Sequence, residues 1–101
     1  MKIDRAIWNF LADVQNDPVI GPIEICVYTA LLCVSAKQRY VSEIRISRES
    51  IKRICKITSN TTYHKSMKIL QSRNHIIYRP SYNPIQCSKV ILCNLIELEN
   101  E

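Results

Sequence analysis

Apolar residues recur at helical spacing in two segments near the start of the chain. Residues 3–14 carry apolar side chains at helical spacing, which predicts a short amphipathic helix, although its opening residues could instead form a strand. Residues 15–22, QNDPVIGP, contain two prolines and the only glycine of the chain, so they predict a break. The segment that follows, IEICVYTALLCVSA, is apolar nearly all round. Pro22 suits its first helical position, because the N–H that proline lacks has no partner there.

A helix that is apolar on most sides lies at the centre of a core or carries an interface on its back. The back of this second helix, residues 23–36, therefore has two possible neighbours. It can pack against the N-terminal helix, or it can meet a second copy of the chain in a homodimer. The pattern alone leaves both open.

The middle of the chain predicts a strand and then a helix. RYVSEIRIS alternates β-branched and polar residues, which predicts a short strand near 43–46. Ser47 is a suitable N-cap for the helix RESIKRICK. Its apolar stripe is Ile51, Ile54 and Cys55.

The next helix covers NTTYHKSMKILQ, residues 60–71, after a short break at 57–59. Ser59 or Asn60 can cap its start, and Asn74 can adopt the left-handed conformation that closes it. Three residues at positions i, i+4 and i+7 form its apolar line: Tyr63, Met67 and Leu70. On a helical wheel the opposite side is polar and free of carboxylates, and it carries Thr61, His64, Lys65, Lys68 and Ser72.

Two β-rich runs, 76–79 and 87–95, flank a segment with two prolines and predict a hairpin. The predicted fold is therefore α+β and mainly helical, with a helix–turn–helix over 47–73 and a two-stranded C-terminal wing. A chain of 101 residues with 47% apolar content suits one domain with one core. We expect that domain to comprise an N-terminal helix or extension (1–15), a core (22–95) and an acidic tail (96–101).

Charge is unevenly distributed along the chain. The net charge is +5, but residues 45–79 contain nine basic residues and one acidic residue, Glu49, for a net charge of +8. A solvated surface usually intersperses the two signs. This segregation predicts a surface that faces a polyanion.

Other chemistry finds little support in the sequence. Five cysteines without a CxxC pair fit a reducing cytosol, where they would serve as small core residues. His64 and His75 are eleven positions apart with no cysteine at ligand spacing, so we expect no zinc and no other cofactor. The chain has no glycine-rich phosphate loop and no paired catalytic carboxylates, and we predict no enzymatic activity.

No stretch is long and apolar enough for a membrane span, and the N-terminus lacks the pattern of an export signal. We therefore expect a cytoplasmic, nucleoid-associated protein.

RISRESIKRICKITSNTTYHKSMKILQSRNHIIYR resembles the winged helix–turn–helix pattern of bacterial and phage DNA-binding proteins. Upstream, "IDRAI … PIEICVYTALL" is similar to the N-terminal domains of plasmid replication initiators and DnaD-like primosome proteins. The resemblance covers residues 3 to about 94. Members of these families usually carry glycine where this chain has Asn74, and often where it has Lys56 or Ile57.

The resemblance implies sequence-specific binding of double-stranded DNA, for control of transcription, replication or excision on a mobile element. It makes the start and outer face of the 60–71 helix candidate DNA contacts, namely Asn60, Thr61, Thr62, His64, Lys65 and Lys68. Thr62 lies toward the apolar side, where it can also cap or pack. The preceding helix would contribute phosphate contacts from Arg48 and Lys52. On the wing, Arg79 and Tyr82 would reach the minor groove or an adjacent phosphate.

Two other functions stay open from the sequence. The chain could be a winged-helix interaction module that joins a larger assembly through the back of helix 23–36. Binding of single-stranded nucleic acid is a weaker possibility, because it needs exposed aromatic side chains for stacking. Only Tyr63, Tyr78 and Tyr82 could supply them, and Tyr63 is needed in the core.

Overall fold

Helices dominate the structure, which is an α+β fold. A computed structural model describes residues 2–39, 41–81 and 87–95. In chain order the elements are α1 (Lys2–Val14), α2 (Pro22–Lys37), β1 (Glu43–Ile46), α3 (Arg48–Cys55), α4 (Asn60–Ser72), β2 (Ile76–Arg79) and β3 (Ser88–Leu92). Each lies close to its predicted position, and the N-terminal segment is a helix.

The sheet has three strands, in the order β1-β3-β2, and both pairs are antiparallel. The prediction of a two-stranded wing was therefore incomplete, since β1 pairs with the free side of β3 and places Ile44 opposite Val90. Both of these side chains are fully buried. β3 is also shorter than the predicted 87–95, because the chain turns helical at residues 93–95.

Glutamine side chains close both outer edges of the sheet. The Gln38 amide donates to the carbonyl oxygen of Arg45 at 2.7 Å and accepts from its N–H at 3.1 Å. On the other edge, the Gln71 side-chain oxygen accepts from the N–H of Tyr78 at 2.6 Å. Each glutamine satisfies backbone groups that an additional strand would otherwise use.

The core joins α1 to α2 through an aromatic stack. The rings of Phe10 and Tyr28 lie 3.9 Å apart and nearly parallel, and His75 meets Phe10 edge-on at 4.9 Å. The Tyr28 hydroxyl accepts a hydrogen bond from the buried Asn94 amide at 2.7 Å. α1 therefore packs on the Tyr28 side of α2, and the same part of the core contacts Asn94, which follows β3.

Caps fix the ends of the two helices after β1. The Ser47 hydroxyl accepts from the N–H of Ser50 at 3.1 Å, and the Ser59 hydroxyl accepts from that of Thr62 at 3.2 Å. Lys56, which follows α3, and Asn74, which follows α4, have φ angles of 59° and 65°. Both residues therefore have the left-handed backbone conformation. This is the conformation that glycine adopts most readily, and glycine is common at these positions in the families that the chain resembles.

Two expectations about the core were wrong. Ile54 does not join the buried stripe of α3, since its side chain is 44% exposed. Most of the cysteines are not core residues either: Cys26, Cys33 and Cys87 are exposed and Cys93 is half-buried, whereas the half-buried Cys55 packs against the core. On α2 the interior positions belong to larger apolar side chains such as Leu31, and the thiols lie on the outward side.

Candidate nucleic-acid interface

Three buried side chains hold α4 on the core. Tyr63, Met67 and Leu70 are each fully buried, as their spacing predicted. Because the apolar line is anchored and Ser59 caps the first turn, the opposite side of the helix is held outward. The orientation of that side therefore depends on core packing and not on a loop.

The outward side of α4 forms a shallow groove of about 680 Å³. Its lining consists of Thr61, His64, Lys65, Lys68, Ile69 and Ser72. These include five residues that the helical wheel placed outward, and they include no carboxylate. The groove combines hydroxyl donors, an imidazole and two ammonium groups on one rigid helix, which is the chemistry that base edges and phosphates require.

His64 is oriented by its neighbour on the helix. Its ring lies 5.2 Å from the ring of Tyr63, at an interplanar angle of 70°. Since Tyr63 is fixed in the core, this edge-on contact limits the positions that the exposed imidazole can adopt.

Thr62 lies apart from the outer groove. It is half-buried and lines a second groove of about 420 Å³ between α4 and the start of α2. Lys65 lines both grooves, whereas Thr62 lines only this one among the grooves described. The structure thus favours packing over outward contact for Thr62.

Lys52 and Asn60 meet across the turn between α3 and α4. The Lys52 ammonium donates to the Asn60 side-chain oxygen at 2.7 Å, and both residues are at the surface. This bond engages the Asn60 oxygen and places a positive charge beside the first turn of α4. Two of the predicted contacts are therefore brought together at one point.

Arg48 begins α3 beside the single acidic residue of the basic segment. Its Nε atom lies 3.4 Å from a Glu49 carboxylate oxygen, and both side chains are exposed. An ion pair this exposed contributes little to stability and exchanges readily for another anion. Arg48 therefore remains able to meet a phosphate.

The structure describes one of the two predicted wing residues. Arg79 ends β2 with an exposed side chain. Tyr82 lies outside the described residues.

Lys89 was not among the candidate residues predicted from the sequence. It lies in β3, outside the basic segment 45–79, yet the sheet register places it between Arg45 and Arg79. No pattern within one strand could reveal this, because the three residues come from three separate parts of the chain.

Burial perturbs two titratable groups near this surface. It raises the pKa of the Tyr63 hydroxyl, with a further increase from nearby Tyr78 and a smaller decrease from Arg48. The Tyr63 hydroxyl oxygen is buried and lacks hydrogen-bond geometry to any described residue, Tyr78 included. In α3, burial and the neighbouring Cys26 thiol raise the pKa of Cys55 to about 12.

The described residues contain no cluster of three or more side chains able to hold a metal ion. None of the helices in the described part of the chain is long and apolar enough to cross a membrane. Comparison with protein-family models, with curated proteins and with solved structures finds no match to this chain.

Proposed function

We propose that this chain is a winged helix–turn–helix protein that binds double-stranded DNA through the outer groove of α4. The observation that carries the proposal is the carboxylate-free lining of that groove on a helix anchored by three buried side chains. In this proposal α3 and α4 form the helix–turn–helix, and the β2–β3 hairpin is the wing. Thr61 and His64 face base edges, while Lys65 and Lys68 face phosphates.

The α3 side of the interface adds positive charge. Lys52, held against Asn60, and Arg48, at the start of α3, would contact the backbone that flanks the groove. Such a protein would act in transcription, replication or excision control on a mobile element, and would be associated with the nucleoid. These assignments rest on the sequence resemblance and on the surface chemistry of α4.

The direct test is a titration of labelled duplex DNA, followed by fluorescence anisotropy at several salt concentrations. We expect affinity to fall steeply as salt rises, because each neutralised phosphate releases counterions. Lys65→Ala should weaken binding to every duplex, whereas Lys37→Ala, at the far end of α2, is the matched control. Absence of binding at low salt would exclude the proposal.

A second substitution separates base readout from charge. His64→Ala should change the ranking of a panel of duplex sequences, while Lys65→Ala should lower affinity on all of them about equally. If both substitutions act uniformly across the panel, α4 contributes phosphate contacts only, and the proposed sequence specificity is wrong.

Self-association is the alternative that exposed apolar residues favour. Ile23 on α2 is 43% exposed and Trp8 on α1 is 74% exposed, although α1 covers the Tyr28 side of α2. Sedimentation of the chain without DNA tests a homodimer. Dissociation of such a dimer by Ile23→Glu would assign the contact to α2, and dissociation by Trp8→Ala would assign it to α1.

A further inference from the structure

The strand register aligns three basic residues across the sheet. Arg45 of β1 lies opposite Lys89 of β3, and Arg79 of β2 lies opposite the same Lys89 from the other side. Directly opposed residues point to the same face, with Cβ atoms about 4.5–5.5 Å apart. Arg45, Lys89 and Arg79 therefore form one row, hereafter the basic row.

The basic row points away from the core. The next row along the sheet contains Ile44 and Val90, which are both fully buried. Because side chains alternate between faces along a strand, the basic row must lie on the opposite face. All three of its residues are exposed.

No carboxylate balances the basic row among the described residues. Glu43 is on the same face, two positions before Arg45, but it lies opposite Ile91 and forms no ion pair with the row. Like charges directly opposite one another on a sheet are destabilising. An anion placed over Lys89 would relieve this repulsion.

The basic row is held rigidly. The Gln38 amide binds both backbone groups of Arg45, which fixes the outer edge of β1. On the hairpin side, the Ser88 hydroxyl accepts from the N–H of Ser81 at 3.1 Å, next to Lys89. Three charges fixed on strands lose less backbone freedom on binding than charges on a mobile loop would.

The row is continuous with the α3 side of the proposed DNA interface. β1 is followed by the capping Ser47 and then by Arg48, so Arg45 and Arg48 flank one short connection. Further along α3, the Lys52 ammonium donates to the Asn60 side-chain oxygen at the start of α4. Positive side chains thus follow the chain from the sheet through α3 to the start of α4.

We infer that the basic row is a second phosphate-binding surface, which contacts the backbone of the same duplex that α4 binds. The inference rests on the proposed function, and it assigns DNA contacts to Arg45 and Lys89. Lys89 is the central residue, since it is flanked by a cation on each side.

The test compares Lys89→Gln with Lys37→Gln, which removes the same charge from the end of α2. With DNA, Lys89→Gln should weaken binding severalfold on every duplex and make the salt slope shallower by about 1. Lys37→Gln should leave the slope unchanged, and Lys89→Arg should retain wild-type binding. Without DNA and at low salt, Lys89→Gln should raise Tm by about 1–5 °C, because the repulsion is removed.

The outcomes distinguish the inference from the function on which it rests. If Lys65→Ala loses affinity but Lys89→Gln binds with the wild-type slope, α4 binds DNA and the basic row does not. A lower affinity of Lys89→Gln together with a lower Tm would indicate a structural role and would also overturn the inference. If the unsubstituted chain binds no duplex at low salt, the proposed function fails and the row has no DNA to contact.

Discussion

Two helices of this chain, α2 and α4, have similar lengths and different surroundings. α2 buries seven of its 16 residues, while α4 buries four of its 13. The residues that α2 leaves exposed include small thiols, whereas α4 exposes a groove of hydroxyl, imidazole and ammonium groups. We infer that α2 is shaped by packing and that α4 combines a packed side with a side available for binding.

This contrast between α2 and α4 predicts that effects on stability and effects on DNA binding should separate. Substitutions inside α2 should change the free energy of unfolding without a specific effect on DNA affinity. Substitutions on the outer groove of α4 should do the reverse. The following predictions test this separation, from the largest expected change in stability to the smallest.

Leu31→Ala should produce the largest loss of stability. Leu31 is fully buried in α2, and removing its branched side chain leaves a cavity that the surrounding core fills only in part. We expect the free energy of unfolding to fall by about 2–5 kcal/mol in urea denaturation. Cys33→Ala, two residues away and exposed, should change it by less than about 0.5 kcal/mol. Equal effects at the two positions would contradict the placement of α2 in the core.

Ser59→Ala should lower the free energy of unfolding by about 1 kcal/mol, because the N–H of Thr62 loses the hydroxyl that accepts its hydrogen bond. Without its cap, the first turn of α4 should fray. Because this turn carries Asn60 and Thr61, we also expect weaker DNA binding. Ser72→Ala, at the exposed end of the same helix, is the control for stability and should leave the free energy of unfolding nearly unchanged. The two readouts are urea denaturation and anisotropy.

Alkaline pH should destabilise the fold through α3 and α4. The pKa of Tyr63 and that of Cys55 are both raised in the folded state, so both groups favour folding while they remain protonated. Their contribution is complete below the unfolded pKa values, about 8.5 for cysteine and 10 for tyrosine, and declines as pH rises above them. Stability measured by urea denaturation should therefore decrease from about pH 9 upward.

Tyr63→Phe identifies the α4 part of this pH dependence. It removes a buried hydroxyl that lacks a hydrogen bond among the described residues, so stability at neutral pH should be unchanged or higher. The decline above pH 10 should become shallower. Tyr78→Phe, which removes a neighbour that adds to the raised pKa of Tyr63, should make the decline shallower by a smaller amount. An unchanged alkaline profile in Tyr63→Phe would show that Tyr63 does not carry the effect.

Lys65→Ala should have the smallest effect on stability. Its side chain is exposed on the outer groove, and we expect a change within about 0.5 kcal/mol. The same variant should show a clear loss of DNA affinity. A large loss of stability would mean that the outer side of α4 is part of the folded core, and the contrast with α2 would disappear.

Local rules predicted much of the fold. Ser47 and Ser59 were identifiable as caps because a hydroxyl before a helix can accept an orphan N–H. The line of Tyr63, Met67 and Leu70 was identifiable because residues four and seven positions apart share one side of a helix. Each of these predictions depends on residues that are close in the sequence.

Predictions that required packing partners were less successful. Ile54 satisfies the spacing of a buried stripe, but its side chain remains exposed on the short helix α3. The cysteines suit a core by size, yet larger side chains occupy the interior of α2. Spacing indicates which residues share a side of a helix, but it does not indicate how much of that side is covered.

The order of the elements, their caps and the polar side of α4 follow from the sequence alone, because these depend on interactions within one or two helical turns. Strand pairing was needed to show that β1 joins the hairpin and that Arg45, Lys89 and Arg79 lie in one row. Strand register is set by contacts between distant segments. A shift of one residue would move every side chain of β3 to the opposite face of the sheet. The basic row therefore depends on strand pairing, whereas the outer groove of α4 depends on helical periodicity.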